Sequence, residues 1–264
     1  MFKKILKSNL WEKKSYYQKA RSASLDTKHP GIVELKKLSK DSKKILDLGC
    51  GEGTKLNFLV GKGKKGVGVD ISTLAVKLGN RQYPHLNFVK ADLEELPFKD
   101  NQFDLTYSAF VLEHLDDPVK VINEAIRVTE PKGKLVFITP NFGAPNRASP
   151  SFRGSRIRKF LTGFLSDIKS ILRKSKRLGW KKVIPISANG SYEIDWDTTV
   201  EPYLPSLINF LGTKGIKIIK STSLWNEEMP NAKIHQKIFR FLGELGIYPF
   251  FYWGPHLLVV AQKI

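Results

Sequence analysis

Acidic residues stand within or at the ends of three short apolar runs in the first half of the sequence. Asp47 lies inside the run from Ile45 to Leu48, and Asp70 and Asp92 close the next two runs. Carboxylates at successive strand ends can accept hydrogen bonds from several donors of one ligand. Asp70 is placed to hold a ribose diol, Asp92 to accept from an adenine amino group, and Asp47 to fix the loop or an ammonium group. The three acids suit such a ligand well and a diphosphate poorly.

A glycine-rich turn follows the first of these runs. Gly49, Gly51 and Gly53 alternate with other residues, and a helical pattern begins at Thr54. Glycine adopts backbone conformations that other residues avoid, and it lets a ligand lie against the main chain in front of a helix N-terminus. Several cofactors use such a turn. The dinucleotide fingerprint needs a further glycine at the position of Thr54, so its absence argues against a dinucleotide.

The elements that must position these residues alternate between strand and helix. Short apolar runs typical of strands alternate with amphipathic helical patterns between residues 44 and 139. This order predicts a doubly wound α/β fold with parallel strands, crossover helices and a ligand site at the carboxyl ends of the strands. Strand patterns return at 216–224 and 257–263 with no regular crossover between them, which predicts an antiparallel edge pair.

Positive charge separates two accessory segments from this core. Of the net charge of +19, residues 1–44 contribute 13 Lys and Arg against 4 acids, and residues 145–182 contribute 12 against Asp167 alone. The rest of the chain is nearly neutral. The predicted organisation is a basic N-terminal helical segment at 1–44, a core at 45–140 and 201–264, and a basic insertion at 141–200.

Four stretches occur in order between residues 45 and 141: ILDLGCGEGT, VGVDIS, FVKADLEELPF and FDLTYSAFVLEHLDDPVKVINEAIRVTEPKGKLVFITPN. Together they resemble the successive motifs of class I S-adenosylmethionine-dependent methyltransferases, in the small-molecule branch that includes ubiquinone and menaquinone methyltransferases. The resemblance implies a Rossmann-like seven-stranded sheet whose last strand is antiparallel, with N-terminal helices and a helical insertion after the fifth strand. It also implies S-adenosylmethionine as the cofactor.

The resemblance assigns roles to individual residues. Asp70 is expected on the ribose, Ile71 against the adenine, Asp92 with Leu93 at the adenine edge, and the glycine turn around the methionine part. The complete predicted cofactor-binding set is Asp47, Gly49, Cys50, Gly51, Gly53, Asp70, Ile71, Asp92, Leu93 and Ser108. Two alternatives stay open: Asp47 as a clamp of the loop alone, and Ile71 as an ordinary core residue.

Cys50 is the only cysteine of the chain. One cysteine excludes a disulfide within the chain and a zinc cluster built from cysteines, and no metal is predicted. Apart from a place in the cofactor loop, Cys50 has the simpler interpretation of a small residue that fills a tight turn.

His114 is the candidate catalytic base. It follows the fourth strand, where the cofactor's methyl group is expected, and an imidazole has the pKa range of a general base. Glu113 is the second candidate, and the alternative for both is a role in shaping the pocket. Members of the resembled class that methylate a planar amine hold it with an Asn-Pro-Pro-Tyr motif after the fourth strand, where this sequence has Tyr107-Ser-Ala-Phe110. The absence of the motif argues against such an amine as the acceptor. Methyl transfer to oxygen is therefore predicted, with carbon as the second choice, on a small or lipid-linked acceptor.

The basic segments predict a partner. Between residues 155 and 179, apolar residues recur at spacings of three and four among many Lys and Arg, which is typical of a helix on an anionic membrane. The alternative is a cap helix whose apolar stripe packs on the core. RNA is a less favoured partner than a membrane, because the sequence shows no recognisable RNA-binding module. The corresponding alternative is an RNA-binding methyltransferase. With no run of about 20 apolar residues, the predicted location is cytoplasmic, peripheral at the inner membrane face.

Two further alternatives stay open in the sequence. A domain that binds the cofactor without turnover would serve as a scaffold, although the intact acids and glycines weigh against it. Asp195, Trp196 and Asp197 near the end of the insertion are placed either to orient a hydroxylated substrate or, as the favoured interpretation, to form a turn before a helix. The oligomeric state is not predicted.

Overall fold

The computed structural model describes residues 10–18, 26–172, 176–186, 193–225 and 234–264. Its helices in these ranges are α1 (Pro30–Ser39), α2 (Thr54–Leu59), α3 (Thr73–Gln82), α4 (Pro118–Val128), α5 (Arg156–Leu172), α6 (Leu204–Leu211), α7 (Ile234–Glu244) and α8 (Phe250–Trp253), with a short 3-10 helix at Leu112–His114. The strands are β1 (Lys44–Leu48), β2 (Lys65–Asp70), β3 (Asn87–Lys90), β4 (Phe103–Ala109), β5 (Thr129–Pro140), β6 (Lys181–Lys182), β7 (Val200–Glu201), β8 (Ile216–Leu224) and β9 (His256–Lys263).

Seven strands form one sheet in the order β3-β2-β1-β4-β5-β9-β8. Neighbouring strands from β3 to β5 are parallel. Strand β9 is antiparallel to both β5 and β8, which confirms the predicted Rossmann-like sheet with its antiparallel last strand and edge pair. Because β1 and β4 are neighbours, the strand order reverses at their carboxyl ends, where such sheets bind ligands.

Alternation along β1 sends side chains to two hydrophobic layers. Leu46 and Leu48 pack in the layer that also holds residues of α4 and α6. Ile45 packs on the opposite face, in the layer that contains residues of α1 and α2. Because successive strand residues face opposite sides, Asp47 belongs with Ile45 and is fully buried. The acid is therefore held inside the fold and not on a surface loop.

Strand β5 begins earlier than its sequence pattern predicts. Its first residue is Thr129, directly after α4, whereas the apolar pattern starts at Lys134. The buried Thr129 hydroxyl donates to the Ala125 carbonyl (2.6 Å) and to the Thr106 hydroxyl (2.7 Å). These bonds close the last turn of α4 and place residue 129 opposite Phe103 of β4.

The N-terminal segment, defined here as residues 10–18, crosses the carboxyl edge of the sheet. The first part of the helical segment predicted at 1–44 is interrupted at Glu12 and Lys13, and residues 1–9 and 19–25 lie outside the described ranges. Glu12 accepts from the backbone N–H groups of Thr73 (2.6 Å) and Leu74 (2.9 Å). Its carboxylate thereby caps the N-terminus of α3, where a negative charge is favourable.

The insertion leaves the sheet after β5 and returns at β7. Strands β6 and β7 pair as a short antiparallel ribbon. Glu201 is buried and accepts from the Ser149 backbone N–H (3.0 Å) and from the Lys159 ammonium (2.7 Å). Because Lys159 belongs to α5, this carboxylate joins both ends of the insertion to its helix. Val200 packs in the core, so the insertion rejoins the core at β7.

Helix α5 packs on the protein through its polar face. Lys159 bonds Glu201, Gly163 lies against Pro145, and the buried Asp167 accepts from the indole of Trp253 (2.8 Å). The apolar stripe is divided between two directions. Ile157 is 75% exposed and Leu161 is 57% exposed, whereas the rings of Phe160 and Phe164 contact the Trp253 ring edge-on. The helix therefore combines an outward apolar side with the packing expected of a cap helix. Within the described ranges, no helix combines the length and apolar composition needed to cross a bilayer.

The Gly53→Ala substitution should be more destabilising than Gly63→Ala. Both glycines have a left-handed backbone, with φ of 84° and 77°. A Cβ at Gly53 would lie 2.3 Å from the Phe88 ring, whereas one at Gly63 would meet nothing within 4 Å. We expect both variants to lose about 1–2 kcal/mol of unfolding free energy for the backbone, and Gly53→Ala about 1–3 kcal/mol more for overpacking. Equal losses in urea unfolding would contradict this packing argument.

Candidate functional site

Asp47 is buried beneath the carboxyl edge of the sheet. The Tyr107 hydroxyl on β4 donates to its Oδ2 atom at 2.6 Å, and residues 47 and 107 are in register. The Oδ1 atom is buried without a hydrogen-bond partner among the described residues. Burial raises the pKa of Asp47 to about 6, although the nearby Lys55 acts in the opposite direction. Asp47 thus clamps β1 to β4 and keeps one oxygen for a further donor.

The glycine turn and Asp70 form a single hydrogen-bonded unit. The backbone N–H groups of Gly49 and Cys50 donate to the Val69 carbonyl at 2.8 and 3.0 Å. The Gly51 N–H donates to one oxygen of Asp70 at 2.8 Å, and the Ser72 N–H donates to the other at 2.9 Å. A carboxylate has about four acceptor positions, so this group can also accept from the predicted ribose diol. Burial raises the pKa of Asp70.

The three glycines of the turn serve different purposes. All have positive φ, at 76°, 54° and 84°. A Cβ at Gly49 would lie 2.5 Å from Val111, so Gly49 and Gly53 are needed where the turn packs against side chains. At Gly51 the nearest atom belongs to Tyr17, at 3.8 Å. Of the three glycines, Gly51 is therefore the one whose main chain a ligand could approach, whereas the sequence pattern predicted this for the whole turn.

The remaining predicted cofactor residues divide between the edge of the sheet and its core. Asp92 follows β3 beside Asp70, whose carbonyl accepts from the Ala91 N–H at 3.1 Å. Leu93 is buried in the core. Ser108 on β4 is also buried, and its hydroxyl has no partner within the described ranges. Ile71 is half-buried directly after β2.

Cys50 packs behind the glycine turn. A Cβ at Gly68 would lie 2.7 Å from its sulfur, so the thiol fills the space that glycine leaves on β2. Burial raises the pKa of the Cys50 thiol well above its usual value, which keeps it protonated and unreactive. These contacts favour the simpler interpretation of Cys50 as a small residue in a tight turn.

Aromatic residues of the N-terminal segment lie over this edge. Tyr17 is buried next to Gly51, and burial followed by the nearby Asp70 raises its pKa. The Ser72 hydroxyl donates to the Trp11 carbonyl at 2.8 Å. No local sequence pattern connects these residues to the site, because 61 positions separate Trp11 from Ser72.

Glu113 and His114 follow β4 in the short 3-10 helix. Glu113 is fully buried, and the Thr139 hydroxyl of β5 donates to its Oε2 atom at 2.7 Å. Its Oε1 atom lies 3.7 Å from Nε2 of His114. Burial raises the pKa of Glu113 to about 7, and the His114 charge opposes this effect. The Glu113 carboxyl group beside the imidazole therefore changes its protonation state near neutral pH.

The insertion brings two further acids to His114. Asp197 places Oδ1 3.2 Å from His114 Nδ1, and its Oδ2 atom accepts from the Trp11 indole at 3.0 Å. Ligand atoms of Glu113, His114 and Asp195 lie within 4.8 Å of one another. Burial disfavours the charged imidazole, but Asp197, Glu113 and Asp195 outweigh it and raise the His114 pKa. Asp195 and Asp197 lie in a turn, as favoured from the sequence, and this turn also places both acids next to His114.

Residues 46–137 match the methyltransferase domain family. A demethylmenaquinone methyltransferase of Renibacterium salmoninarum is 38% identical over 104 residues, which are 38% of this chain and 44% of that protein. The chloroplastic tocopherol O-methyltransferase of Arabidopsis thaliana is 34% identical over 107 residues, 38% of this chain and 31% of that protein. The chain therefore spans less than half the length of these curated relatives.

The fold extends beyond the matched domain. An S-adenosylmethionine-dependent methyltransferase structure from Mesorhizobium loti superposes with a TM-score of 0.55, at 19% identity, over 88% of this chain and 96% of that chain. The comparisons confirm the predicted resemblance to class I S-adenosylmethionine-dependent methyltransferases, and S-adenosylmethionine is the cofactor of this domain. The unpaired oxygen of Asp47 and the open acceptor positions of Asp70 fit its ammonium group and ribose.

The Asp70→Asn variant should bind S-adenosylmethionine at least about tenfold more weakly, since it loses charge-assisted hydrogen bonds worth about 1.5–3 kcal/mol. Isothermal titration calorimetry measures this affinity directly. Asp41→Asn, at an exposed acid outside the site, is the matched control and should bind as the unmodified protein does. Unchanged affinity in a folded Asp70→Asn variant would remove Asp70 from the ribose position.

Proposed function

We propose that this chain transfers a methyl group from S-adenosylmethionine to an oxygen atom of a small or lipid-linked acceptor at the surface of an anionic membrane. His114 lies between Glu113 and Asp197, shortly after β4, and this placement is the main support for the proposed reaction. When bound, S-adenosylmethionine supplies a methyl group activated on a sulfonium, so the protein mainly has to position the acceptor and manage its proton.

His114 is proposed as the general base. Asp197 contacts its Nδ1 atom, so Nε2 is the atom that would take the proton of an acceptor hydroxyl. Asp197 also orients the ring and stabilises the imidazolium formed when the proton arrives. Glu113 supports the same charge from the other side of the imidazole. A base of this kind is needed for a hydroxyl acceptor, which favours transfer to oxygen over carbon.

The relatives support the choice of acceptor. One is named for tocopherol O-methylation and another for demethylmenaquinone. These names favour a small acceptor, with oxygen as the methylated atom in the first case. Their aligned regions cover 38% of this chain, so the acceptor itself has to be tested on this protein.

The outward face of α5 supports membrane binding. Ile157, Leu161 and Leu165 are between 57% and 75% exposed along one side of the helix. Arg153, Arg156 and Arg158 are exposed at its N-terminal end. An apolar stripe flanked by basic residues binds the interface of an anionic bilayer, with about 1 kcal/mol for each basic residue near the surface.

If His114 is the base, kcat/KM should rise with pH through the raised His114 pKa, because only the neutral imidazole accepts a proton. Asp197→Asn should move this rise to lower pH, since the carboxylate that favours the imidazolium is gone. His114→Gln should lower kcat by about 10²–10⁴ without changing the affinity for S-adenosylmethionine. The readout is formation of S-adenosylhomocysteine with a panel of hydroxylated acceptors.

Three outcomes would contradict parts of this proposal. Unchanged pH profiles in Asp197→Asn and Asp41→Asn alike would remove the role of Asp197. Loss of activity on addition of a metal chelator would assign Glu113, His114 and Asp195 to a cation instead. Cofactor binding without turnover on any acceptor would favour the scaffold alternative.

The Leu161→Glu variant should bind anionic vesicles at least about tenfold more weakly than the unmodified protein, because it puts a charge into the apolar stripe. Cosedimentation with vesicles of phosphatidylglycerol and phosphatidylcholine measures this. Val33→Glu is the matched control, since Val33 is 53% exposed on α1 and Leu161 is 57% exposed. Equal, weak binding to anionic and neutral vesicles would overturn membrane association, and tighter salt-sensitive RNA binding would favour the RNA alternative.

A further inference from the structure

A cavity of about 410 Å³ lies between the first part of the insertion and its return. Two aromatic residues, Phe142 and Phe152, line it together with Ser149, Arg156 and Asp195. Its volume is in the range of pockets that hold small ligands, about 300–1,000 Å³. The cavity combines apolar walls with one cationic and one anionic side chain.

Asp195 connects this cavity to the candidate catalytic residues. Asp195 is one of the residues that line the cavity, and a carboxylate oxygen of the same residue lies within 4.8 Å of the ligand atoms of Glu113 and His114. The backbone of Asp195 is left-handed, with φ of 65°, and its carbonyl accepts from the Thr198 N–H (3.2 Å) and hydroxyl (2.7 Å). A non-glycine residue in this conformation has a backbone cost, and such residues concentrate at functional sites.

The other end of the cavity is cationic. Lys159 and Lys181 place their ammonium groups 4.8 and 4.9 Å from the centre of the Phe152 ring, and Arg156 lines the cavity beside it. Glu201 neutralises Lys159. Burial, and after it the neighbouring Arg156, lowers the pKa of Arg147. Two ammonium groups thus lie against the Phe152 ring that lines the cavity with Arg156, so an anion in this part of the cavity would be favoured.

We infer that this cavity binds the methyl acceptor, as a hydroxylated molecule that also carries a phosphate or carboxylate group. Its anionic group lies at Arg156, and its hydroxyl lies at the end of the cavity formed by Asp195, next to His114. This assignment rests on the proposed methyltransferase function and specifies its substrate class. The phosphate belongs either to a small dissolved ester or to a lipid headgroup, because Arg156 is also the first residue of the membrane-facing helix α5.

The test compares Arg156→Gln with Arg158→Gln. Arg158 lies two residues further along the same helix, about 200° around its axis, so the two variants remove the same charge from different faces. Two probes separate the sources of phosphate: phenyl phosphate in solution, and vesicles that contain phosphatidylglycerol. Calorimetry and cosedimentation, both with S-adenosylhomocysteine present, measure binding without any methyl transfer.

We expect Arg156→Gln to weaken phenyl phosphate binding at least about tenfold and Arg158→Gln to leave it unchanged, which identifies a dissolved acceptor. If phenyl phosphate does not bind and Arg156→Gln weakens vesicle binding clearly more than Arg158→Gln, the acceptor is a lipid headgroup. If the two variants are indistinguishable with both probes, the inference is overturned. Because these readouts need no turnover, failure of the methyltransferase proposal alone would leave the difference between the variants intact.

Discussion

The contacts between the end of the insertion and the turn after β4 hold the candidate site together. The Thr199 backbone N–H donates to the Glu113 carbonyl at 2.8 Å, and its hydroxyl donates to the Leu115 carbonyl at 2.8 Å. Thr199 and Glu113 are buried, so breaking the bond between them would leave polar groups without partners inside the protein. The two bonds fix the position from which Asp197 reaches His114, and the first of them joins backbone atoms that most substitutions leave in place.

Charge balance is the second constraint on this site. Glu113 and Asp197 are buried next to one imidazole, and burying a carboxylate is favourable only when an opposite charge or hydrogen-bond donors compensate. His114, Thr139 and the Trp11 indole provide that compensation. The imidazole is thereby held where it can gain a proton at little electrostatic cost. Loss of any one of these partners would leave an uncompensated charge near the cofactor edge.

The sequence predicted the parts of this protein that local patterns determine. Strand and helix periodicity predicts the sheet, and the position of Asp70 at the end of a strand predicts its place beside the glycine turn. Asp197 and Trp11 are far from His114 along the chain, so no periodicity could bring them together. The direction of the α5 stripe was equally beyond the pattern, because an amphipathic helix has the same periodicity whichever face packs. The Lys159–Glu201 ion pair, the close fit of Gly163 against Pro145 and the contacts of the Phe160 and Phe164 rings with Trp253 set the orientation of this helix.

The N-terminal segment touches both halves of the site. Through Glu12 and the Trp11 carbonyl it is bonded to residues that follow β2, and through the Trp11 indole it is bonded to Asp197. If the acceptor binds beside His114 as proposed, a ligand that moves this segment at one of these places would also disturb the other. Thermodynamic linkage makes such an effect reciprocal, so the two affinities would change by the same factor in both directions. Residues 10–18 thus connect the turn after β2 physically to the residues around His114.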